Sequence, residues 1–458
     1  MSEITTFKIH SIEATNFRAF ESLKVDFHDN LTVLVAKNGE GKTSVLDAVA
    51  IALTPFAEGF DDIKGRAFER DDVRLFQVRK TRSNEMEYAA GGATIKATAT
   101  LYQLNKISWA RQRLPTKKTN ITEENTLKLK NTANVLQNKI RSKENSEKTI
   151  LPLIASYGTS RLWLTKTIKQ STFDMTSRLV GYNSCFDSQQ NFNSISKWLS
   201  YWKISEMQDF FSHIFDVKKN KAQSEFTNYM QSVNHPISIC LKNTEWKSIR
   251  YDIGKQVIVC EKNDDSYLPI HSLSDGVRNM IALVADIAFR ATKLNPHLGA
   301  DASRKTPGIV LIDEVDMHLH PEWQQLVLGG LTEAFPEVQF IVTTHSPQVL
   351  TTVPAECIRE LSREGDDIRV TIPEFSLGAE SNYVLDSIQG VNARPKHLPI
   401  VQELEEYQTL ISHDEWDTPR ALELREKLNN WGHGFEPALI KMDMDVRMRA
   451  YRRGKSVK

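Results

Sequence analysis

The stretch "NLTVLVAKNGEGKTSVLDAV", residues 30–49, constrains this chain more than any other. An apolar run, Leu31–Ala36, leads into a short loop holding Gly39 and Gly41, and from Thr43 onward Val45, Leu46, Val49, Ala50 and Leu53 recur at helical spacing. A strand, a glycine turn and a helix in that order aim backbone N–H groups and the positive helix end at one point, which suits phosphate. Lys42 then reaches the β- and γ-phosphates and Thr43 offers a hydroxyl to Mg2+, as in G-x-x-x-x-G-K-[ST]. Lys37, Asn38, Gly39, Glu40, Gly41, Lys42, Thr43 and Ser44 are therefore the candidate nucleotide-binding residues. Ala36 stands where that pattern has its first glycine. It falls at the strand end, furthest from the phosphates, where a small side chain fits if its backbone angles are ordinary. Thr54-Pro55 predicts the end of the helix.

A second element follows far along the chain. "GIVLIDE" and "VQFIVTTHS" are continuous apolar runs, expected of parallel strands buried on both faces. Ligands bind at the C-terminal ends of such strands, and there Asp313 is placed to hold Mg2+ and Glu314 to polarise an attacking water. Helices are predicted before and between these strands, in "GVRNMIALVADIAFRATKL" and "PEWQQLVLGGLTEAF". In the first half, "GGATIKATATLYQL" alternates at period two and predicts antiparallel strands, with "ISWARQRL" a candidate partner. Residues 117–148 are polar, with eight Lys/Arg against four Glu, and read as a solvated loop or a short helical excursion; a phosphate-attracting patch is the alternative. Residues 160–235 read as mainly helical, and "WKSIRYDIGKQVIVCEKNDDSYLPI" as a strand pair turning at Asn263-Asp264-Asp265. Two helices are predicted after Pro395, and the chain ends in a basic tail.

Lys+Arg and Asp+Glu both total 58 in the 458 residues, so net charge points to no class of partner. The cysteines, Cys185, Cys240, Cys260 and Cys357, are scattered and read as reduced thiols. The N-terminus lacks the layout of a signal peptide and no stretch has the length of a membrane span, so the expectation is a soluble, cytoplasmic protein.

Between these elements lie "HSLSDGVRN" (271–279) and, after the second strand, "TTHSP". With them the chain resembles the ATP-binding-cassette ATPases, in the soluble SMC/RecF-like branch with the chromosome-maintenance and recombination ATPases. "LSDG" matches the signature motif, "IVLIDEVDMHLHP" the Walker B strand with its D-loop, His345 the switch histidine, and "ATNFRAF" the opening strand, with Arg18 a candidate nucleotide contact. The resemblance implies an α/β fold: a P-loop ATPase head with a mixed sheet, an antiparallel β subdomain, a helical lobe inserted between Walker A and signature, and a C-terminal helical segment. It also implies a homodimer sandwiching two ATP molecules with Mg2+, in which Ser274, Asp275 and Gly276 of one subunit meet the γ-phosphate held by the other. His318 and His320 fit the D-loop better than a metal pair. "LIASYGTSR" (153–161) stands where the lobe-coupling glutamine is expected, but contains none.

The expected domains are 1–159, an N-terminal ATPase lobe; 160–270, a helical lobe with a hairpin; 271–390, a C-terminal ATPase lobe; and 391–458, a helical partner-binding segment. The layout most resembles ATPases of bacterial anti-phage defence of the Septu (PtuA) and retron type. These act with a separate HNH nuclease (PtuB-like) and, in some systems, a retron reverse transcriptase with its DNA/RNA product. Two alternatives stay open. One is a DNA-repair ATPase that clamps DNA. The other is a self-contained nuclease of the overcoming-lysogenisation-defect type, for which Asp443 and Asp445 would be metal ligands.

Overall fold

The computed structural model of the protein describes residues 6–79, 85–116, 121–122, 124–159, 177–187, 192–215, 225–365 and 367–454. A six-stranded sheet runs in the order Asp367–Thr371, Ile358–Glu364, Leu31–Ala36, Val338–Thr343, Gly308–Ile312, Leu153–Tyr157. Neighbours are parallel except the first two, so the sheet is mixed, with an antiparallel edge. Three of its four inner strands, Leu31–Ala36, Val338–Thr343 and Gly308–Ile312, are buried almost end to end, which explains their unbroken apolar sequences. Parallel pairing brings the residues after Ala36, Ile312 and Thr343 to one edge.

The second large sheet is antiparallel, in the order Phe20–Asp26, Phe7–Phe17, Ala93–Leu101, Leu104–Arg113, Ile121–Thr122. The alternation read from the sequence is present: Ile95, Ala97, Ala99 and Leu101 are buried, and the strand pairs with Leu104–Arg113. Gln339 stitches the two sheets together. It is fully buried in the strand Val338–Thr343, donates to the carbonyls of Ile9 (2.8 Å) and His28 (2.9 Å), and accepts from the Ile9 N–H at 2.8 Å. A buried amide is tolerated in that strand because its hydrogen-bonding groups are engaged.

The helix after the glycine loop spans Lys42–Ala57 and passes through Pro55, beyond the predicted stop. Proline has no N–H, so the carbonyl of Ile51 loses its helical donor. Arg111, reaching over from the antiparallel sheet, replaces it: its Nη1 donates to Ile51 O at 2.7 Å, while Trp109 Nε1 donates to the adjacent Ala52 O at 2.9 Å. Burial pushes the Arg111 guanidinium below its ordinary pKa.

The polar tract 117–148 is more ordered than its composition suggests. Glu124–Ile140 is a helix, and Leu129, Ala133 and Leu136 are fully buried at helical spacing. Gly59 allows the close approach of this helix, since a Cβ there would lie 2.5 Å from the Lys130 carbonyl. Further on come the helices Phe192–Phe215 and Glu225–Cys240; residues 160–176, 188–191 and 216–224 of the predicted helical stretch lie outside the described residues. The predicted strand pair is a three-stranded sheet, because Tyr267–Pro269 adds to Trp246–Asp252 and Val257–Lys262. Its three residues are too few to show a period.

By contact density the chain divides into two compact units, Met1–Val384 and Leu385–Lys458. The second contains the helices Pro399–Ser412, Pro419–Gly432 and Pro437–Arg452, each opened by a proline in its first turn, where the missing N–H costs nothing. Its own core is built from Leu404, Tyr407, Ile411, Trp416, Leu424 and Leu428, with Leu439 and Met442 from the last helix. Among the described residues no helix is long and apolar enough to cross a membrane.

The Arg111–Ile51 contact predicts a coupled pair of substitutions. Arg111→Met, which strands a buried carbonyl, should lower stability by about 1–3 kcal/mol in chemical denaturation. Adding Pro55→Ala, which restores an N–H to that carbonyl, should recover part of the loss; a double variant no more stable than Arg111→Met contradicts the assignment.

Candidate nucleotide site

The loop after Leu31–Ala36 owes its shape to two glycines at positive φ, Gly39 (84°) and Gly41 (94°). Gly41 is required twice over, since a Cβ there would also stand 2.4 Å from the Phe20 ring. Ala36 is not among the residues with positive φ, so the substitution for the first glycine asks for no unusual backbone. The Lys37 N–H donates to Glu40 Oε2 at 2.8 Å and the Glu40 N–H to the Lys37 carbonyl at 3.3 Å, closing the turn. Lys37, Asn38, Gly39 and Thr43 are exposed, and Glu40 and Ser44 are half-buried.

Lys42 lies along this loop, with Nζ donating to the carbonyls of Ala36 (2.8 Å) and Lys37 (3.4 Å). Burial lowers its pKa, and the carboxylates of Asp313, Glu314 and Glu40 pull the other way. Asp313 and Glu314 directly follow the strand Gly308–Ile312. Thr43 Oγ1 donates to Asp313 Oδ2 at 2.8 Å, joining residues 270 positions apart. Two hard oxygen donors therefore meet at one spot beside the loop, a set that suits Mg2+, which takes one or two protein oxygens and completes its shell with phosphate and water. Among the described residues no group of three or more His, Cys, Asp or Glu side chains could hold a metal by itself.

Sequence reading missed Thr343 as an individual residue. Its hydroxyl donates to Asp313 Oδ1 at 2.6 Å and accepts the N–H of Glu314 at 2.7 Å. Glu314 adopts the left-handed conformation, φ 48°, which an L-residue holds only when its surroundings compel it. Thr343 and the Asp313 N–H bond to Tyr157 O (2.8 Å) supply that compulsion. The only sequence signal for Thr343 was a hydroxyl residue closing an apolar strand. His345 follows two residues later and is exposed, between Thr344, bonded to Asp316, and Ser346, bonded to Gln324 at 2.7 Å.

Arg18 sits beside the same helix start. It is held between Asp47 (2.7 Å) and Asp72 (2.9 Å), with Ser44 Oγ at 3.5 Å from Nη1. Burial works against its charge, but the two carboxylates outweigh it and raise its pKa. Neither Asp47 nor Asp72 was singled out in the sequence, because ion partners this far apart along the chain leave no local pattern.

The signature segment is built differently. Ser274 and Asp275 are exposed at the start of the helix Asp275–Leu294, and Gly276 is buried. Asp275 pairs with Arg278, and a Cβ on Gly276 would meet the His318 carbonyl at 2.4 Å. Neither partner belongs to the glycine loop. His318 thus contributes its backbone here, and His320 caps the short helix Pro321–Gln324 through Nδ1, so each has a role within the fold.

Comparison with known proteins places these features in context. The AAA ATPase domain family matches residues 7–350. The retron Ec83 probable ATPase of Escherichia coli is 25% identical, over 97% of this chain and 87% of that protein. The Septu protein PtuA of Bacillus mycoides (strain KBAB4) is 46% identical over 83 residues, 18% of this chain and 11% of that protein. Among solved structures, an Smc head bound to the C-terminal winged-helix domain of ScpA aligns with a TM-score of 0.47 and 15% identity, covering 79% of this chain and 96% of that one. Since one family match spans the glycine loop, the segment 274–276, the paired acids and His345, this chain belongs to the AAA ATPase domain family.

Proposed function

We propose that the protein binds ATP with Mg2+ at the glycine loop and hydrolyses it in a homodimer, as the regulatory ATPase of an anti-phage defence system whose cutting is done by a separate HNH nuclease. The observation that carries the ATPase reading is the Thr43–Asp313 contact, because it unites the phosphate loop with the acid strand at a spot suited to a metal ion. In this reading the N–H groups of Gly39–Thr43 and Lys42 Nζ hold the phosphates, with Lys42 exchanging its loop carbonyls for phosphate oxygens. Thr43 and Asp313 would hold the metal ion, which when bound would supply positive charge against the phosphates. Glu314, turned by its left-handed backbone, orients and deprotonates the attacking water, and His345 contacts the γ-phosphate. Arg18 braces Ser44 and the loop helix from the side, still paired with its two aspartates.

The exposure of Ser274 and Asp275 supports a composite site, since a serine at a helix N-terminus facing solvent is available to complete a phosphate cage in a second molecule. The defence assignment rests on full-length similarity to a retron ATPase and on the local Septu match. The HNH nuclease and the retron reverse transcriptase with its nucleic acid are partners by the same analogy, and the segment 391–458, within the unit Leu385–Lys458, is the proposed partner-binding part. A self-contained nuclease is disfavoured by specific geometry. Asp443 and Asp445 stand two residues apart on one helix, about 200° around its axis, and each is engaged by an arginine, Arg425 (2.7 Å) and Arg449 (3.0 Å). Part of the basic tail is likewise spent internally, as Arg449 and Arg453 both pair with Asp414.

Lys42→Ala is expected to lose nucleotide affinity, whereas Glu314→Gln should keep it and turn over at least about 10²-fold more slowly; equal turnover in Glu314→Gln and wild type excludes the assigned base. Ser274→Arg should abolish hydrolysis yet leave folding and single-site binding intact, and mixing it with Lys42→Ala should restore one complete site per mixed dimer. Failure of exchanging subunits to recover activity argues against the composite site. Finally, the purified chain should leave plasmid DNA and total RNA uncut in Mg2+ or Mn2+. Cleavage that survives Lys42→Ala and disappears on Asp443→Ala/Asp445→Ala would restore the nuclease alternative.

A further inference from the structure

One buried cluster outside the loop joins the acid strand to the signature helix. Tyr157 ends the edge strand of the central sheet, beside Ile312 in parallel register, and its carbonyl accepts the Asp313 N–H at 2.8 Å. Its hydroxyl donates to Asp286 Oδ2 at 2.8 Å, and Asp286 lies in the middle of the helix Asp275–Leu294. The same oxygen accepts Arg290 Nε at 2.7 Å, and Arg290 Nη1 donates onward to the carbonyls of Gly181 and Asn183, both at 3.0 Å. Tyr157, Asp286 and Arg290 are all at least nine-tenths buried. Burial, then the Asp286 carboxylate, hold the Tyr157 hydroxyl well above its usual pKa, so it remains a donor. One residue therefore grips the backbone of the metal-site aspartate and, through its ring, a helix that ends at Ser274. Asp286 is twelve residues from Ser274, about 18 Å along a single rigid helix, too far for any direct contact and short enough to carry a displacement intact.

We infer that Tyr157 is a positioning residue that ties the signature helix to the Asp313 end of the acid strand, so that it governs hydrolysis at the partner subunit's site. This rests on the composite-site reading above. Within one chain the strut runs from Asp313 to Ser274, but Ser274 serves the neighbouring loop, so each site reports its state to the other through Tyr157. A buried, fully bonded network suits this task, because it has one low-energy arrangement and gives up none of its bonds cheaply.

Tyr157→Phe removes one hydroxyl and leaves the Asp286–Arg290 pair. It should keep the KM for ATP within about twofold and lower kcat about tenfold, since a slight misplacement of a catalytic group is costly. Purified heterodimers, selected by two affinity tags, then assign the direction. Wild type paired with Lys42→Ala/Tyr157→Phe has one working loop facing an altered signature helix and should show the loss. Tyr157→Phe paired with Lys42→Ala has its working loop facing an unaltered signature helix and should match wild type paired with Lys42→Ala. The inference is overturned if the loss follows the loop-bearing subunit, or if Tyr157→Phe shifts only the thermal midpoint while kcat stays at the wild-type value. If wild type hydrolyses ATP but its heterodimer with Lys42→Ala does not turn over, the composite-site reading fails and this inference falls with it. Absence of turnover in wild type itself removes the ATPase assignment as well.

Discussion

The carboxylate of Asp313 is the point on which the rest of the structure depends. It accepts a hydroxyl from Thr43 on one oxygen and from Thr343 on the other, and its backbone N–H is taken by Tyr157. Those residues belong to the loop helix and to the two strands flanking the acid strand, so one side chain and its peptide fasten three neighbours. A buried carboxylate needs such partners, and here each partner also carries a functional group. Lys42 adjoins Thr43, Glu314 follows Asp313, and His345 comes two residues after Thr343. Placing this one group fixes the relative position of Lys42, Thr43, Glu314 and His345.

Legibility in the sequence followed the range of the interactions. The loop and the acid strand could be read because strand burial and glycine geometry leave local patterns, uninterrupted apolar runs and glycines where φ is positive, whereas the signature segment was legible only as a resemblance to a known motif. The helix Glu124–Ile140 was legible in principle, through Leu129, Ala133 and Leu136, but its high polarity masked that spacing. Arg111 under Pro55 was not legible at all. A proline predicts a break unless a donor arrives from elsewhere, and no local pattern says that a strand some fifty residues later will bring one. Thr343, Asp47, Asp72 and the Tyr157–Asp286–Arg290 cluster share that property, since their significance lies wholly in pairings made by the fold.

The candidate site therefore has two tiers with different physical character. Residues proposed to meet a ligand, such as Lys42, Thr43, Glu314, His345 and Ser274, sit at the ends of regular elements, where the chain changes direction. Residues that hold the acid pair, Thr343 and Tyr157, are buried at the ends of the two strands that flank it. The first tier is the one open to solvent or to a ligand, and the second ties it to the strands and helices around it.

The three helices after residue 398 have a different implication. They carry their own apolar core, each begins with a proline that fixes its own start, and their ion pairs named above close within the same stretch. Such a segment contains the information for its own folding. A block that keeps its core and its ion pairs to itself can be exchanged, duplicated or rewritten in sequence as one piece, its three helices changing together.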